Sequence, residues 1–166
     1  AMTKTGDDAG GAKSLEMGAP FEAPWAGQIV SGSATHSAIW NGREIAMPAG
    51  SDKTGGESGL LLAEASTSSD SSAMPDGGQA QAVFQVGRSA DWPWNTQVTV
   101  TALLSRKALD LTMTARNNGD IPEPVGLGWR PRFSLEGERS RMRLRLPTEM
   151  RVVRGQDGAP TGAVTP

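Results

Sequence analysis

The chain has 166 residues, about the size of one ordinary domain. Its 16 basic and 18 acidic residues leave a net charge of −2, so the overall charge does not indicate a nucleic-acid partner. The sequence holds no cysteine and a single histidine, which excludes disulfide bonds, thiol nucleophiles and metal sites that need several of these ligands. No apolar run approaches the roughly 18 residues of a membrane-spanning helix, so no membrane span is expected.

Glycine and proline determine the expected fold class. The chain has 21 glycines and 11 prolines, a density that long helices rarely tolerate because glycine costs backbone entropy and proline removes a donor. Short strands joined by turns tolerate it, so we predict an all-β fold, an antiparallel β-sandwich or part of one. Residues 1–14 offer almost nothing to bury and are predicted to be a flexible N-terminal arm. One sandwich domain is predicted over 15–166.

The clearest local signal is a β-hairpin in the first third of the chain. Asn41-Gly42 accepts the two positive φ values of a type I′ turn, and it separates two strand-like segments, 38–40 and 43–45. Leu60-Leu61-Leu62 is predicted to be a short buried strand. The Ser-, Ala-, Asp- and Gly-rich residues 63–80 are predicted to be a solvent loop, with a broken hairpin as the alternative.

The second half of the chain carries more regular strand signals. Three segments have strand-like composition and partial alternation, namely 82–86, 97–104 and 109–115. Residues 139–146 alternate between polar and apolar side chains, which predicts a further strand. Val152-Val153 predicts the start of another strand, and the residues after Gly155 are expected to form a loop.

Several short motifs follow one another in a distinctive order between residues 15 and 162. A Trp-Pro-Trp element at 92–94 precedes two strands, an Asn-containing turn at Asn117, and the run Gly-Leu-Gly-Trp-Arg-Pro-Arg-Phe at 126–133. Pro24-Trp25 precedes this set, and Pro160-Thr161-Gly162 follows it. The order resembles the aldose 1-epimerases, a galactose-mutarotase-like family, and most of all its bacterial hexose-6-phosphate mutarotase branch. The resemblance implies the middle part of a β-supersandwich.

The positions that carry catalysis in this family hold different residues here. Mutarotases open the sugar ring when a carboxylate takes the anomeric hydroxyl proton and an imidazole donates a proton to the ring oxygen. Carried over by position, the family's two histidines become Ser58 and Arg130, and its substrate-binding arginine becomes Gln28. The family's late catalytic glutamate has no counterpart among these residues. Because a guanidinium holds oxygen atoms but does not release its proton, the resemblance implies weak or no catalysis.

The resemblance places the candidate ligand site around Trp129, Arg130 and Arg132. A flat aromatic ring can cover the apolar face of a sugar, while guanidinium groups hold its oxygens or a phosphate. The alternative is that Trp129 packs inside the sandwich while both arginines pair with Glu136 or Glu138. The same resemblance places Gln28 at the site, and Trp92 is a further candidate because its ring could stack on a saccharide.

Other polar and aromatic residues give weaker signals. Trp92 and Trp94 could stack on a saccharide, and the alternative is that both are buried in the sandwich. The lone histidine, His36, precedes the hairpin and is expected to be polar surface rather than catalytic. Neither a phosphate-binding glycine loop nor a cluster of metal ligands is present in the sequence, so no metal and no cofactor are expected.

Half of the basic residues lie between Arg130 and Arg154, with only three acidic residues among them. Four arginines, at 139, 141, 143 and 145, would fall on one face of the predicted strand. Such a face could bind an anionic sugar, a polysaccharide or an acidic partner. The alternative is a solvated strand face that discourages edge-to-edge pairing.

Three hypotheses for the function follow. The first is a carbohydrate-binding protein that resembles aldose 1-epimerases, takes a sugar or sugar phosphate, and has weak or no catalysis. The second is a non-enzymatic sandwich module for assembly or partner binding, completed by a homo-oligomer or by a second chain. A half-sandwich favours it because apolar faces and unpaired strand edges must be covered. The third is a fragment of a complete enzyme.

Overall fold

The computed structural model describes residues 21–26, 37–46, 59–61, 64–87, 89, 92–131, 133, 137–156 and 160–166. These residues form antiparallel sheets throughout, so the predicted all-β class is confirmed. The described strands are β1 (Phe21–Glu22), β2 (Ser37–Trp40), β3 (Arg43–Ala46), β4 (Ser68–Met74), β5 (Gly77–Gly87), β6 (Asn95–Ser105), β7 (Leu109–Asn117), β8 (Gly128–Trp129), β9 (Arg151–Arg154) and β10 (Pro160–Thr165).

The described residues belong to two compact parts, one within 20–130 and the other from Pro131 onward. The first part contains β1 to β8 and the second contains β9 and β10. The single domain predicted over 15–166 stays a prediction, and the predicted arm at 1–14 lies outside the described residues. Within the described residues, no helix is long and apolar enough to cross a membrane.

A four-stranded sheet in the order β4-β5-β6-β7 is the centre of the first part. Successive side chains of a strand point to opposite faces, and β6 follows this rule closely because Thr96, Val98 and Val100 are all buried. The register places Phe84 of β5 and Ala115 of β7 on either side of Val98. One face of the sheet is therefore the core face, and the opposite face carries mainly Thr, Gln and Ser.

A cluster of tryptophans covers one end of the core face. Trp25, Trp92 and Trp94 are buried together with the valines of β5 and β6, and Ala23 and Leu61 belong to the same cluster. Each fully buried large side chain contributes about 1.5–3 kcal/mol of apolar transfer free energy. The segment that begins with β1 and the short β1–β8 pair thus form the second layer of a sandwich-like arrangement.

The predicted Asn-Gly hairpin is confirmed. β2 and β3 pair from Ser37–Ala46 to Trp40–Arg43, and the turn residues Asn41 and Gly42 have φ values of 49° and 74°. These positive values are the ones that a type I′ turn requires.

The predicted solvent loop at 63–80 is wrong over most of its length. β4 and the first residues of β5 lie there and form a regular hairpin that turns at Pro75-Asp76, close to the alternative that the composition left open. Every residue of β4 is exposed, so the strand is held by its ladder hydrogen bonds to β5 rather than by burial. A strand of this kind needs no apolar residues, which is why composition did not indicate it.

The predicted strand at 139–146 is also wrong. Arg139–Arg141 is a short 3-10 helix, and residues 142–146 lie outside any strand. Leu144 and Leu146 are exposed, so the alternation separates no buried face from a solvent face. Alternation predicts a strand only where a neighbouring strand and a core are present, and the described residues provide neither for this segment.

Two further expectations need correction. Leu60 and Leu61 lie outside strands, although Leu61 is buried and its N–H donates to the Ala23 carbonyl at 3.0 Å. The predicted final loop contains β10, which pairs with β9. The predicted strand at Val152-Val153 is confirmed as part of β9, and the structure extends the strands predicted at 82–86, 97–104 and 109–115.

The contrast between β6 and the arginine-rich segment predicts a difference in hydrogen exchange. We expect the amides of Val98 and Val100 to be strongly protected, because they lie in the central strand of a four-stranded sheet. Met142 and Leu144 are expected to exchange at nearly the rate of an unstructured peptide. Residue-resolved hydrogen–deuterium exchange measures both rates. Equal protection of the amides in the two segments would support the predicted strand at 139–146.

Candidate functional site

The candidate residues Trp129 and Arg130 lie where β8 meets β1. Trp129 pairs with Phe21 and Gly128 pairs with Glu22 in an antiparallel register, and Arg130 follows directly. The N–H of Gly126 donates to the Pro24 carbonyl at 2.7 Å, which extends the contact beyond the two strands. The backbone therefore fixes the direction of the chain on both sides of Trp129.

Gly128 allows β8 to lie close to the segment that begins with β1. A Cβ at this position would lie 2.6 Å from the Cβ of Ala26 and 3.4 Å from Oε2 of Glu22. The first distance is too short for any side chain, so a larger residue would push β8 away from β1. The glycine of the motif thus brings Trp129 and Arg130 against the β1 segment.

Arg130 forms an ion pair with Glu22. Its Nη2 lies 2.7 Å from Oε1 of Glu22, whose side chain is 6% exposed, whereas the Arg130 side chain is 54% exposed. A buried carboxylate thus holds a guanidinium that still reaches solvent. The expected alternative partners were Glu136 and Glu138. Glu136 lies outside the described residues, and Glu138 pairs with Arg141 at 3.2 Å.

No sequence signal pointed to Glu22. It is the second residue of a two-residue strand, and no charge pattern connects it with a residue more than a hundred positions later. Only the β1–β8 pairing brings the two side chains together. The sequence predicted the arginine but not its partner.

Trp129 is partly open to solvent, with 37% of the residue exposed. The expected alternative for it was burial inside the sandwich. A residue that keeps more than a third of its surface can present part of its ring to a ligand. Trp129 and Arg130 are adjacent in the chain, and both are exposed at the end of β8.

Trp92 belongs to the core rather than to an open surface. It is 1% exposed, and its ring centroid lies 5.8 Å from that of Trp25 and 4.6 Å from that of Trp94. Trp94 is also buried, and its Nε1–H donates to the Pro122 carbonyl at 3.0 Å. Burial was the alternative considered for both tryptophans, and the structure places them there.

A chain of buried hydrogen bonds runs through the tryptophan cluster. The indole Nε1–H of Trp92 donates to Oγ1 of Thr96 at 2.8 Å, and the Thr96 hydroxyl donates to Oε2 of Glu123 at 2.8 Å. The other carboxylate oxygen of Glu123 and Nε1 of Trp25 are buried atoms for which the described residues provide no hydrogen-bond partner. The tryptophan cluster therefore contains buried polar atoms as well as apolar side chains.

An open groove lies elsewhere on the core face of the sheet. It has a volume of about 560 Å³, a common size for a ligand site. Phe21 lies at this groove, whose apolar lining comes from β5 and β6, while Ser69 and Ser71 of β4 add hydroxyl groups. Among the described residues, none of the site residues predicted from the sequence lines the groove.

The other predicted residues lie either outside the described residues or in the second part of the chain. Gln28, Ser58 and Arg132 lie outside the described residues, as does His36. Arg143 and Arg145 belong to the second part of the chain and are exposed. The described residues contain no group of three or more carboxylate or imidazole side chains placed to hold a metal ion.

Comparison of the chain with protein-family models, with curated proteins and with solved structures found no match. The resemblance to aldose 1-epimerases therefore rests on the order of short motifs and stays a prediction.

The ion pair predicts that the stability lost on removing Arg130 depends on whether residue 22 carries a charge. Arg130→Ala leaves the buried Glu22 carboxylate without this partner, so we expect the free energy of unfolding to fall by about 1–3 kcal/mol. In a Glu22→Gln background no buried charge remains, and Arg130→Ala is expected to cost much less. Urea unfolding of the four proteins measures the coupling. The same cost in both backgrounds would contradict a structural role for the pair.

The hydrogen-bond chain through Thr96 predicts that a Thr→Val substitution lowers stability at this position but not on the opposite face of β6. Thr96→Val removes the hydroxyl that joins Trp92 to Glu123. It leaves the buried Trp92 Nε1–H and the part-buried Oε2 of Glu123 without this partner, so we expect a loss of about 1–3 kcal/mol of stability. Thr99→Val is the matched control on the opposite face of the same strand, and it is expected to change stability by less than about 0.5 kcal/mol. Thermal and urea unfolding measure both. Similar losses of stability in the two variants would contradict the hydrogen-bond chain from Trp92 through Thr96 to Glu123.

Proposed function

We propose that the protein binds a sugar or sugar phosphate at Trp129 and Arg130, with weak or no catalysis. The single observation that carries the proposal is the ion pair between buried Glu22 and exposed Arg130, next to a partly exposed tryptophan. An aromatic face beside a fixed hydrogen-bond donor is the combination that a sugar ring requires, since sugars have apolar C–H faces and polar rims.

The ion pair favours binding because it restricts the guanidinium before a ligand arrives. A free arginine side chain loses about 2 kcal/mol of rotamer entropy when it is fixed. Glu22 has already imposed part of this restriction, since its carboxylate lies 2.7 Å from one nitrogen of Arg130. Prior ordering of a binding side chain improves affinity without any added contact.

The same pair influences which ligand the site prefers. Glu22 balances much of the charge of Arg130 at short range, so the site attracts an isolated phosphate less than an unpaired arginine would. The binding of neutral hydroxyl groups does not depend on the net charge of the Glu22–Arg130 pair. We therefore expect a hexose to bind nearly as well as its phosphate.

Weak or no catalysis follows from the chemistry of Arg130. Ring opening needs a group that releases a proton to the ring oxygen near neutral pH. Arg130 stands where the mutarotase pattern has a histidine, and a guanidinium supplies donors but keeps its protons. The proposal is thus a binding protein of the aldose 1-epimerase type rather than an efficient epimerase.

Binding is tested by NMR titration with glucose, galactose and glucose 6-phosphate. Saturable shifts are expected for at least one of them, and Trp129→Ala is expected to weaken binding about tenfold or more, since loss of an aromatic anchor often costs over ~1 kcal/mol. Trp40→Ala is the matched control, because Trp40 is exposed to the same extent, 37%, but lies in the β2–β3 hairpin. The absence of any saturable shift would remove the proposed function.

Catalysis is tested with the same sugars. Freshly dissolved α-anomers are followed by NMR or polarimetry, and the rate is compared with that of the buffer alone. We expect little or no acceleration. A large acceleration that Arg130→Gln abolishes would overturn the chemical argument while leaving the resemblance to the epimerases intact.

The second candidate function is a non-enzymatic module that assembles with another chain. The observation that favours it is the open edge of the four-stranded sheet, where β7 has nine residues and no pairing strand on its outer side among the described residues. Long, partly apolar edges of this kind tend to pair with another strand. Light scattering of the purified protein distinguishes a monomer from an assembly.

A further inference from the structure

We infer that β7 pairs in an antiparallel manner with β7 of a second copy of this chain, about a two-fold axis through Met113. This proposal specifies the partner in the assembly function above and does not depend on the sugar site. It rests on three features of β7. These are its outer hydrogen-bonding edge, which has no paired strand among the described residues, its residue pattern and the positions of its two charges.

The hydrogen bonds to β6 identify which residues of β7 face outward. At one end of the pair the N–H of Asn118 donates to the Asn95 carbonyl, and at the other the N–H of Ser105 donates to the Ala108 carbonyl. Hydrogen-bonded and non-hydrogen-bonded pairs alternate along an antiparallel ladder. The even-numbered residues of β7 therefore bond to β6, and the odd-numbered residues, with Met113 at the centre, point their N–H and C=O groups to the open edge.

The outward residues fit a self-paired strand. Centred on Met113, a two-fold axis pairs Met113 with its copy and Leu111 with Ala115 of the second copy, and all of these are outward-facing positions. Such a pair satisfies the open backbone groups of both chains, as an added strand does in any sheet. It also continues the core face across the axis, because Leu111 and Met113 lie on that face.

The charges of β7 select this register. Asp110 and Arg116 lie three residues to either side of Met113, and both are exposed. The axis through Met113 places Asp110 opposite Arg116 of the second copy, twice per dimer. These are non-hydrogen-bonded pairs, in which the side chains come closest. Any shift of the axis along β7 loses both pairs.

The opposite edge of the sheet offers no comparable match. β4 has the sequence Ser-Ser-Asp-Ser-Ser-Ala-Met, with a single charge at Asp70 and no basic residue to oppose it. Its aspartate and alanine also have lower strand propensity than the two threonines of β7. The β4 edge thus lacks the opposite charges that would select a register for self-pairing, whereas the β7 edge carries them.

Charge reversal tests the register. In sedimentation equilibrium the wild-type chain is expected to dimerise, and both Arg116→Asp and Asp110→Arg are expected to weaken dimerisation at least about tenfold. When these two single variants are mixed, every cross-pair becomes complementary, so a heterodimer is expected. The double variant that carries both changes is expected to dimerise again. Asp70→Arg on β4 is the matched control and is expected to leave dimerisation unchanged.

A cross-link gives a second measurement on the folded protein. The chain has no cysteine, and Met113→Cys would place two thiols on the axis with Cα atoms about 5.5 Å apart, within the range of a disulfide. Oxidation is expected to give a covalent dimer, whereas Ser71→Cys on β4 is expected not to. Circular dichroism checks that each variant is folded.

The outcomes separate this proposal from the assembly function itself. A wild-type chain that stays monomeric at all accessible concentrations overturns both. A dimer that ignores the charge reversals and gives no Met113→Cys cross-link overturns the β7 pairing while assembly stands. Loss of sugar binding with dimerisation intact affects only the sugar site.

Discussion

The central strand β6 is the constraint on which the rest of the first part depends. It pairs with β5 on one side and β7 on the other, and over residues 95–100 its buried side chains alternate with those of the opposite face. Thr96 lies on the buried side, where an apolar residue would be the simpler choice. Its hydroxyl accepts from Trp92 and donates to Glu123, so the strand also fixes the tryptophans that cover it.

The candidate site depends on that covered core through the β1 segment. Ala23 and Trp25 are buried in the cluster, and the residues on either side of Ala23 therefore have little freedom. Glu22 is the immediate neighbour of Ala23, which explains how a two-residue strand can hold a buried carboxylate in place. Arg130 is positioned by Glu22, so the orientation of an exposed side chain is determined by packing several residues away.

Sequence patterns predicted the parts of the fold whose signals are local. Asn41-Gly42 fixed its hairpin because the turn chemistry needs no distant contact. The valines and threonines of β6 likewise carried the strand signal in their own composition. The prediction for β4 was wrong because this segment is a strand through its pairing with β5. The prediction for 139–146 was wrong because the described residues offer no sheet with which the alternating segment could pair. Glu22 was missed for the same reason, since its importance arises from a long-range pairing.

The Glu22–Arg130 pair and the proposed pairs between Asp110 and Arg116 of two chains would use the same interaction in different ways. In the Glu22–Arg130 pair one partner is buried, so removing the other leaves a desolvated charge, and the pair determines local structure. The pairs between Asp110 and Arg116 across a β7 dimer would be exposed, where screening by water leaves each pair worth little. The strength of that dimer would come from backbone hydrogen bonds and from the apolar contacts of Leu111 and Met113. The charges would instead select one register among several that the backbone alone allows, because every other register leaves them unpaired.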